Sequence, residues 1–196
     1  MISIESLAVF LAILYLLLAV KQNIFCWLAA ILSATLYFSV MYSAGLYMEA
    51  YLQIFYVGMA VYGWSQWNSA EKPLLVRSWS KTNHLKAIGL ILFLTLLSGY
   101  LLETYTEAAL PFFDALTTWG AVVATYMVAN KLIENWIYWF VIDLISVFLF
   151  LTRDLYLTAG LFIVYLIIIV FGYKTWKKSM KENRNGAADS NRQPRY

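Results

Sequence analysis

The chain has 196 residues, 62% of them hydrophobic, 18% aromatic and only 13% charged, with a formal net charge of +3. A soluble domain of this size needs far less apolar surface and would be insoluble with so few charges, so the composition indicates a membrane protein. The single cysteine, Cys26, excludes an internal disulfide and any CxxC metal or redox pair.

Roughly 20 apolar residues are needed to cross the hydrocarbon core, and the apolar runs predict seven spanning helices. The first covers residues 5–20; its leader, MISIESLAVF, has no basic segment and reads as a retained helix rather than a cleaved signal. Lys21-Gln22-Asn23 turns the chain into a second helix over 24–43, and Ser43-Ala44-Gly45 into a third over 46–67. The polar segment 68–84 is a loop containing the lone His84, for which no metal role is expected. A fourth helix follows over 85–102. Pro111 suits the first turn of a fifth helix over 111–129, where its missing N–H costs nothing, and Asp114 complements the dipole of that turn. A sixth helix over 132–151 and a seventh over 155–176 are separated by Thr152-Arg153-Asp154. The hydrophilic tail 177–196 is predicted to be disordered.

Two of these runs are copies. Leu46–Trp67 and Leu155–Trp176 align without a gap at an offset of 109 and agree at nine of 22 positions, including Tyr47/Tyr156, Ala50/Ala159, Tyr56/Tyr165, Gly63/Gly172 and Trp67/Trp176. The offset maps helices 1, 2 and 3 onto 5, 6 and 7. Three helices are an odd number, so a direct join would invert the second copy; the unpaired fourth helix restores its orientation. The expected architecture is all-α, 3+1+3, with parallel repeats over 1–67 and 111–176 and a linker over 68–110. Repeats of this kind belong above all to transporters, which bind substrate between the two halves.

Basic residues predict the orientation. The N-terminal side carries only Arg153, and the other side carries Lys21, Lys72, Arg77, Lys81, Lys86, Lys131 and seven Lys/Arg from Lys174 onward. Thirteen against one places the N-terminus outside and the C-terminus in the cytoplasm.

Residues shared by both repeats are read as scaffold, because a substrate is asymmetric. Gly63/Gly172 allow close helix approach, and Trp67/Trp176 anchor in the membrane interface. Polar residues that break the symmetry are the site candidates. Asp143, whose repeat mate is Ala34, is the sharpest: a carboxylate at bilayer depth costs roughly 2.5–3.5 kcal/mol and normally faces a cavity or partner. Asn135, Trp139, Asp143 and Ser146 form one helical stripe. Gln53 (mate Phe162) and Trp64 form a second on helix 3. Tyr37 on helix 2 and Thr118 and Trp119 on helix 5 complete the set, while Ser33, Thr35, Thr117 and Thr125 are as readily explained by bonds to their own helix. A buried carboxylate among aromatic faces suits a planar, cationic, partly polar ligand. No Walker A sequence, HExxH or GxSxG is present, so neither an ATPase nor an intramembrane enzyme is indicated, and no cofactor, metal or nucleic-acid partner is expected.

The motifs Tyr62-Gly63-Trp64-Ser65-Gln66-Trp67 and Glu134-Asn135-Trp136-x-x-Trp139, with Gln53, Asp143 and Ser146, resemble the PnuC family of bacterial vitamin transporters over essentially the whole chain. The resemblance implies a SWEET-like fold, facilitated diffusion across the inner membrane, trapping of the vitamin by a cytoplasmic kinase, a homotrimer, and Trp136 among the site residues. Nicotinamide-riboside members tend to have Asn where this chain has Asp143 and Ala60. Those departures point to thiamine as substrate, with nicotinamide riboside the alternative and riboflavin third. A vitamin-binding subunit of an ATP-driven importer is the alternative of another class.

Overall fold

The computed structural model describes residues 4–43, 47–68, 73–106, 110–152 and 156–190. Arg153, Asp154, Lys72 and Glu107, used above for turns and orientation, lie outside them, as do residues 191–196. Seven helices form among the described residues: α1 (Ile4–Val20), α2 (Phe25–Ser43), α3 (Tyr47–Trp67), α4 (Lys81–Tyr105), α5 (Pro111–Ala129), α6 (Asn135–Thr152) and α7 (Tyr156–Ser190). Four stretches are long and apolar enough to cross a membrane: α4, α5, α6 and Ala159–Asn185 of α7. The α1 helix and the Phe25–Val40 part of α2 are apolar but shorter, and α3 is diluted by Gln53, Ser65, Gln66 and its aromatic hydroxyls. The outward faces are apolar, with Phe10, Phe93, Leu96 and Phe171 each about 60% exposed, as lipid contact requires.

Two boundaries differ from expectation. The α4 helix starts at Lys81, four residues early, because Ser80 caps it: its side chain accepts a bond from Asn83 N at 3.3 Å. His84 therefore lies on a helix rather than in a loop. The tail also departs from disorder, since α7 continues to Ser190. Trp176 is fully buried and Met180 packs beneath it, so the first turns beyond the apolar run are held against the protein, with a Lys178–Glu182 pair at i,i+4 on the outer face.

The repeats recur down to single hydrogen bonds. At the end of α1, Gln22 N bonds Ala19 O and Asn23 N bonds Leu18 O, each at 3.0 Å. At the end of α5, Lys131 N bonds Val128 O at 3.0 Å and Leu132 N bonds Met127 O at 2.9 Å. All these positions match at the offset of 109. Among the described residues Gln22 and Lys131 are the two non-glycine residues with positive φ, 54° and 49°, so both turns reverse through a left-handed residue at the same position. In each repeat an indole then covers a glycine, Trp27 on Gly63 and Trp136 on Gly172, so closely that an added Cβ would meet ring carbons under 3.0 Å away. The units touch through α1 against α7 and α3 against α5, while α4 packs on α5.

A chain of four tryptophans closes this end of the bundle. Ring centroids are 5.3 Å apart from Trp27 to Trp67, 6.1 Å from Trp67 to Trp176 and 5.4 Å from Trp176 to Trp136. Trp67 Nε1 donates to Ala129 O and Trp176 Nε1 to Ala19 O, both at 3.0 Å, so each repeat's third helix is tied to the other repeat's first. These two tryptophans are packed inside the protein and are not lipid-interface anchors. The reason is local: the indole N–H finds a carbonyl in the last turn of a helix, where each oxygen has a lone pair to spare. The segment from Pro73 to Ser80 docks here too, with Val76 buried, Arg77 N donating to Lys131 O at 3.0 Å and Ile133 N to Arg77 O at 2.9 Å.

Candidate functional site

Hydrogen bonding sorts the membrane-embedded polar residues into two groups. Most close onto a helix: Thr35 onto Ile31 O, Thr117 onto Phe113 O and Asp114 O, Thr125 onto Ala121 O, and Ser33 across to Ala8 O on α1. Asp143 and Ser146 do not. They lie one turn apart on α6, only 3% and 7% exposed, and among the described residues neither side chain has a hydrogen-bond partner. Burying an unpaired polar group is costly in hydrocarbon (on the order of 2–7 kcal/mol when complete), and a pair of them on one face makes this face the candidate site. The half-buried Gln53 and Thr118 are likewise without a partner among the described residues.

The α6–α7 register places this face. Trp136 pairs with Trp176 at 5.4 Å and Phe150 with Phe162 at 5.1 Å, so the helices run antiparallel without slippage. On that register Asp143 is level with Ile169, whose repeat mate Ala60 is 1% exposed in the core. Ser146 has Tyr37 as its repeat mate, and the parallel repeats set both at one depth. Tyr37 is half-buried on α2 and lies within electrostatic reach of Glu5 and Tyr165. By the same reasoning Gln53, mate of Phe162, sits seven residues further from the tryptophan end, about 10 Å above Asp143.

The other candidates separate from this layer. Trp136 is 2% exposed, with its ring packed on Gly172 and its indole N–H unpartnered, matching Trp27 feature for feature. Asn135 is fully buried at the start of α6, its amide donating to Leu132 O at 2.6 Å and its Oδ1 unpartnered. Trp119 donates Nε1 to Ser98 Oγ of α4 at 3.0 Å, so it faces the linker helix rather than the space between repeats. Trp64 packs edge-on to Phe25 at 6.1 Å, while Trp139 lies partly buried against the core; no ring contact joins them. Two apolar grooves lie between helices, the larger about 320 Å³ and lined by Ile88, Leu92, Gly120, Tyr138 and Ile142, and neither includes Asp143.

The sequence reading did not find the role of Glu134. Its carboxylate accepts bonds from Ser78 Oγ and from Trp79 N at 3.3 Å, and lies 3.9 Å from His84 Nε2. His84 Nδ1 is 3.1 Å from Tyr138 Oη. Glu134 thereby straps the α3–α4 segment over the α5–α6 turn. Beside it Lys131 sits over the Trp67 ring at 4.6 Å, and burial pushes its ammonium below the usual lysine range. A clue was present, since Glu134 opens the ENWxxW motif, but a glutamate before a helix also reads as a solvated residue.

Comparison with known proteins follows this geometry. The family described as "Nicotinamide mononucleotide transporter" matches residues 2–178. The nicotinamide riboside transporter PnuC of Escherichia coli (strain K12) is 24% identical, covering 94% of this chain and 89% of its own. The riboflavin/roseoflavin transporter RibM of Streptomyces davaonensis is 25% identical, covering 89% of this chain and 84% of its own. A crystal structure of the vitamin B3 transporter PnuC superposes with a TM-score of 0.73 at 23% identity, covering 91% of this chain and 82% of that one.

Proposed function

Because the chain belongs to the nicotinamide mononucleotide (PnuC) transporter family, a family of multi-pass membrane transporters, we propose that it equilibrates a cationic aromatic vitamin across the inner membrane. The observation behind this reading is the buried, unpartnered carboxylate of Asp143 beside the unpartnered Ser146. A carboxylate that ionises in a low-dielectric layer is stabilised by a ligand that brings a delocalised positive charge, and the neighbouring serine suits one with a few hydroxyls. Nicotinamide riboside has a pyridinium ring and ribose hydroxyls, and a named relative carries it. It therefore replaces thiamine as the leading substrate; the relatives named above carry nicotinamide riboside or riboflavin. Thiamine stays second on charge alone. Riboflavin, the cargo of RibM by name, is neutral and leaves Asp143 without a counterpart.

Transport by this reading needs no coupling ion and no ATP; net uptake follows from phosphorylation of the vitamin by a cytoplasmic kinase. The excess of basic residues at the tryptophan end supports a cytoplasmic C-terminus. Calorimetric titration of the purified protein with nicotinamide riboside, thiamine and riboflavin tests the substrate. Liposomes test the energetics: those containing a trapping kinase should accumulate label, and empty ones should only level. Tighter binding of riboflavin than of either cation, or accumulation driven by a pH or sodium gradient alone, would refute the proposal.

A further inference from the structure

Tyr165 matches Tyr56 in the repeat alignment, and by the rule that shared residues are scaffold it would be set aside. Its surroundings differ from those of its mate. The α6–α7 register carries Tyr165 level with Val147, one residue past Ser146 and about 6 Å along the axis from Asp143. Phe162, one turn further from the tryptophan end on α7, packs between Phe150 of α6 and Tyr165, with centroids 5.1 and 5.5 Å away. Tyr165 lies within electrostatic reach of both Asp143 and Tyr37. It is half-buried, and among the described residues its hydroxyl has no hydrogen-bond partner. Tyr56 occupies the same place in the first repeat, where the position corresponding to Asp143 is Ala34 and that corresponding to Ser146 is Tyr37.

Three polar groups without a hydrogen-bond partner among the described residues therefore lie within about one helical turn of one another along the axis of the second repeat: a carboxylate, a primary hydroxyl and a phenol. We propose that Tyr165 is a specificity-determining residue of the Asp143 site, its hydroxyl contacting the polar, hydroxyl-bearing part of the ligand whose cationic ring faces Asp143. A phenol donates and accepts a hydrogen bond at fixed reach, so it selects a ligand with a hydroxyl at one distance from its charge. The two repeats have the same tyrosine on the same scaffold, and Asp143 lies within electrostatic reach of the second copy. This inference rests on Asp143 being the ligand's counter-charge.

The repeat supplies the control. Tyr165→Phe and Tyr56→Phe remove the same atom from equivalent positions, and binding of nicotinamide riboside and thiamine to each purified variant is measured by calorimetry, with melting temperature alongside. Tyr165→Phe should weaken the preferred ligand about three- to tenfold, as the loss of one neutral hydrogen bond does. Tyr56→Phe should leave affinity within about twofold by the same measure. The ratio between the two ligands should change only in the Tyr165 variant. If both variants keep the parent affinity and ratio, or shift together, Tyr165 is scaffold and the inference fails. Asp143→Asn separates that failure from a deeper one: with Asp143→Asn impaired, the site reading survives without Tyr165, and with Asp143→Asn binding like the parent, both fall.

Discussion

The tryptophan end of the bundle and the layer about Asp143 are built from the same two repeats and obey opposite rules. At the tryptophan end the copies agree in turn geometry, hydrogen bonds and the indole on the glycine. About two to four turns away they differ in polarity: Asp143 against Ala34, Ser146 against Tyr37, Gln53 against Phe162. Symmetry is kept where it holds the halves together and abandoned around the candidate site. Substitutions at the two ends should accordingly fail in different ways.

The largest effect is expected at the glycines. Gly63→Ala and Gly172→Ala each push a methyl into a buried indole that has no free side to move to, and overpacking of this kind costs about 1–3 kcal/mol. Both variants should lose several degrees of melting temperature in detergent by similar amounts, without a change of ligand preference. A large loss in one copy and none in the other would break the symmetry argument.

Asp143→Asn should act on the ligand instead. Removing the charge should weaken a cationic vitamin at least about tenfold, or ~1.4 kcal/mol, while the melting temperature stays level or rises, because an unpaired buried charge is itself unfavourable. Equal affinity in titration would reassign the carboxylate to scaffold. Ser146→Ala sharpens the same contrast with a smaller expected loss, about two- to tenfold in affinity and no cost in stability, since no protein partner is orphaned.

Smallest is Trp119→Phe. Losing the 3.0 Å bond to Ser98 should cost about 0.5–1.5 kcal/mol of stability and leave binding unchanged. A selective loss of binding would return Trp119 to the site.

The sequence showed what depends on periodicity and on charge in unlikely places. Seven helices, the repeat and Asp143 all follow from such signals, and six of the helices begin within three residues of expectation. What depends on direction stayed hidden. A tryptophan at a helix end looks the same whether it faces lipid or, like Trp176, a carbonyl 157 residues away. Trp136 and Trp119 sat in the right helices and faced scaffold. Matched residues were set aside as a group, which concealed Tyr165, because identity between repeats reports a shared backbone environment and not a shared neighbour. The helical tail was missed for a related reason: its charge suggests disorder, and only the packing of Trp176 and Met180 reveals its inner face.

The crossed bonds from Trp67 to Ala129 and from Trp176 to Ala19 have the form of contacts in a two-fold dimer, where a residue meets its counterpart's neighbour and is met in return. Two separate three-helix chains could make the same junction, but every feature at their centre would then occur twice. An aspartate on one would be repeated by an aspartate on the other, two unpaired buried acids in place of one. Joining the halves in one polypeptide through α4 removes that constraint. The second copy can hold a single negative charge where the first has an alanine, and a binding site with one anionic end and one neutral end becomes possible without any loss at the junction.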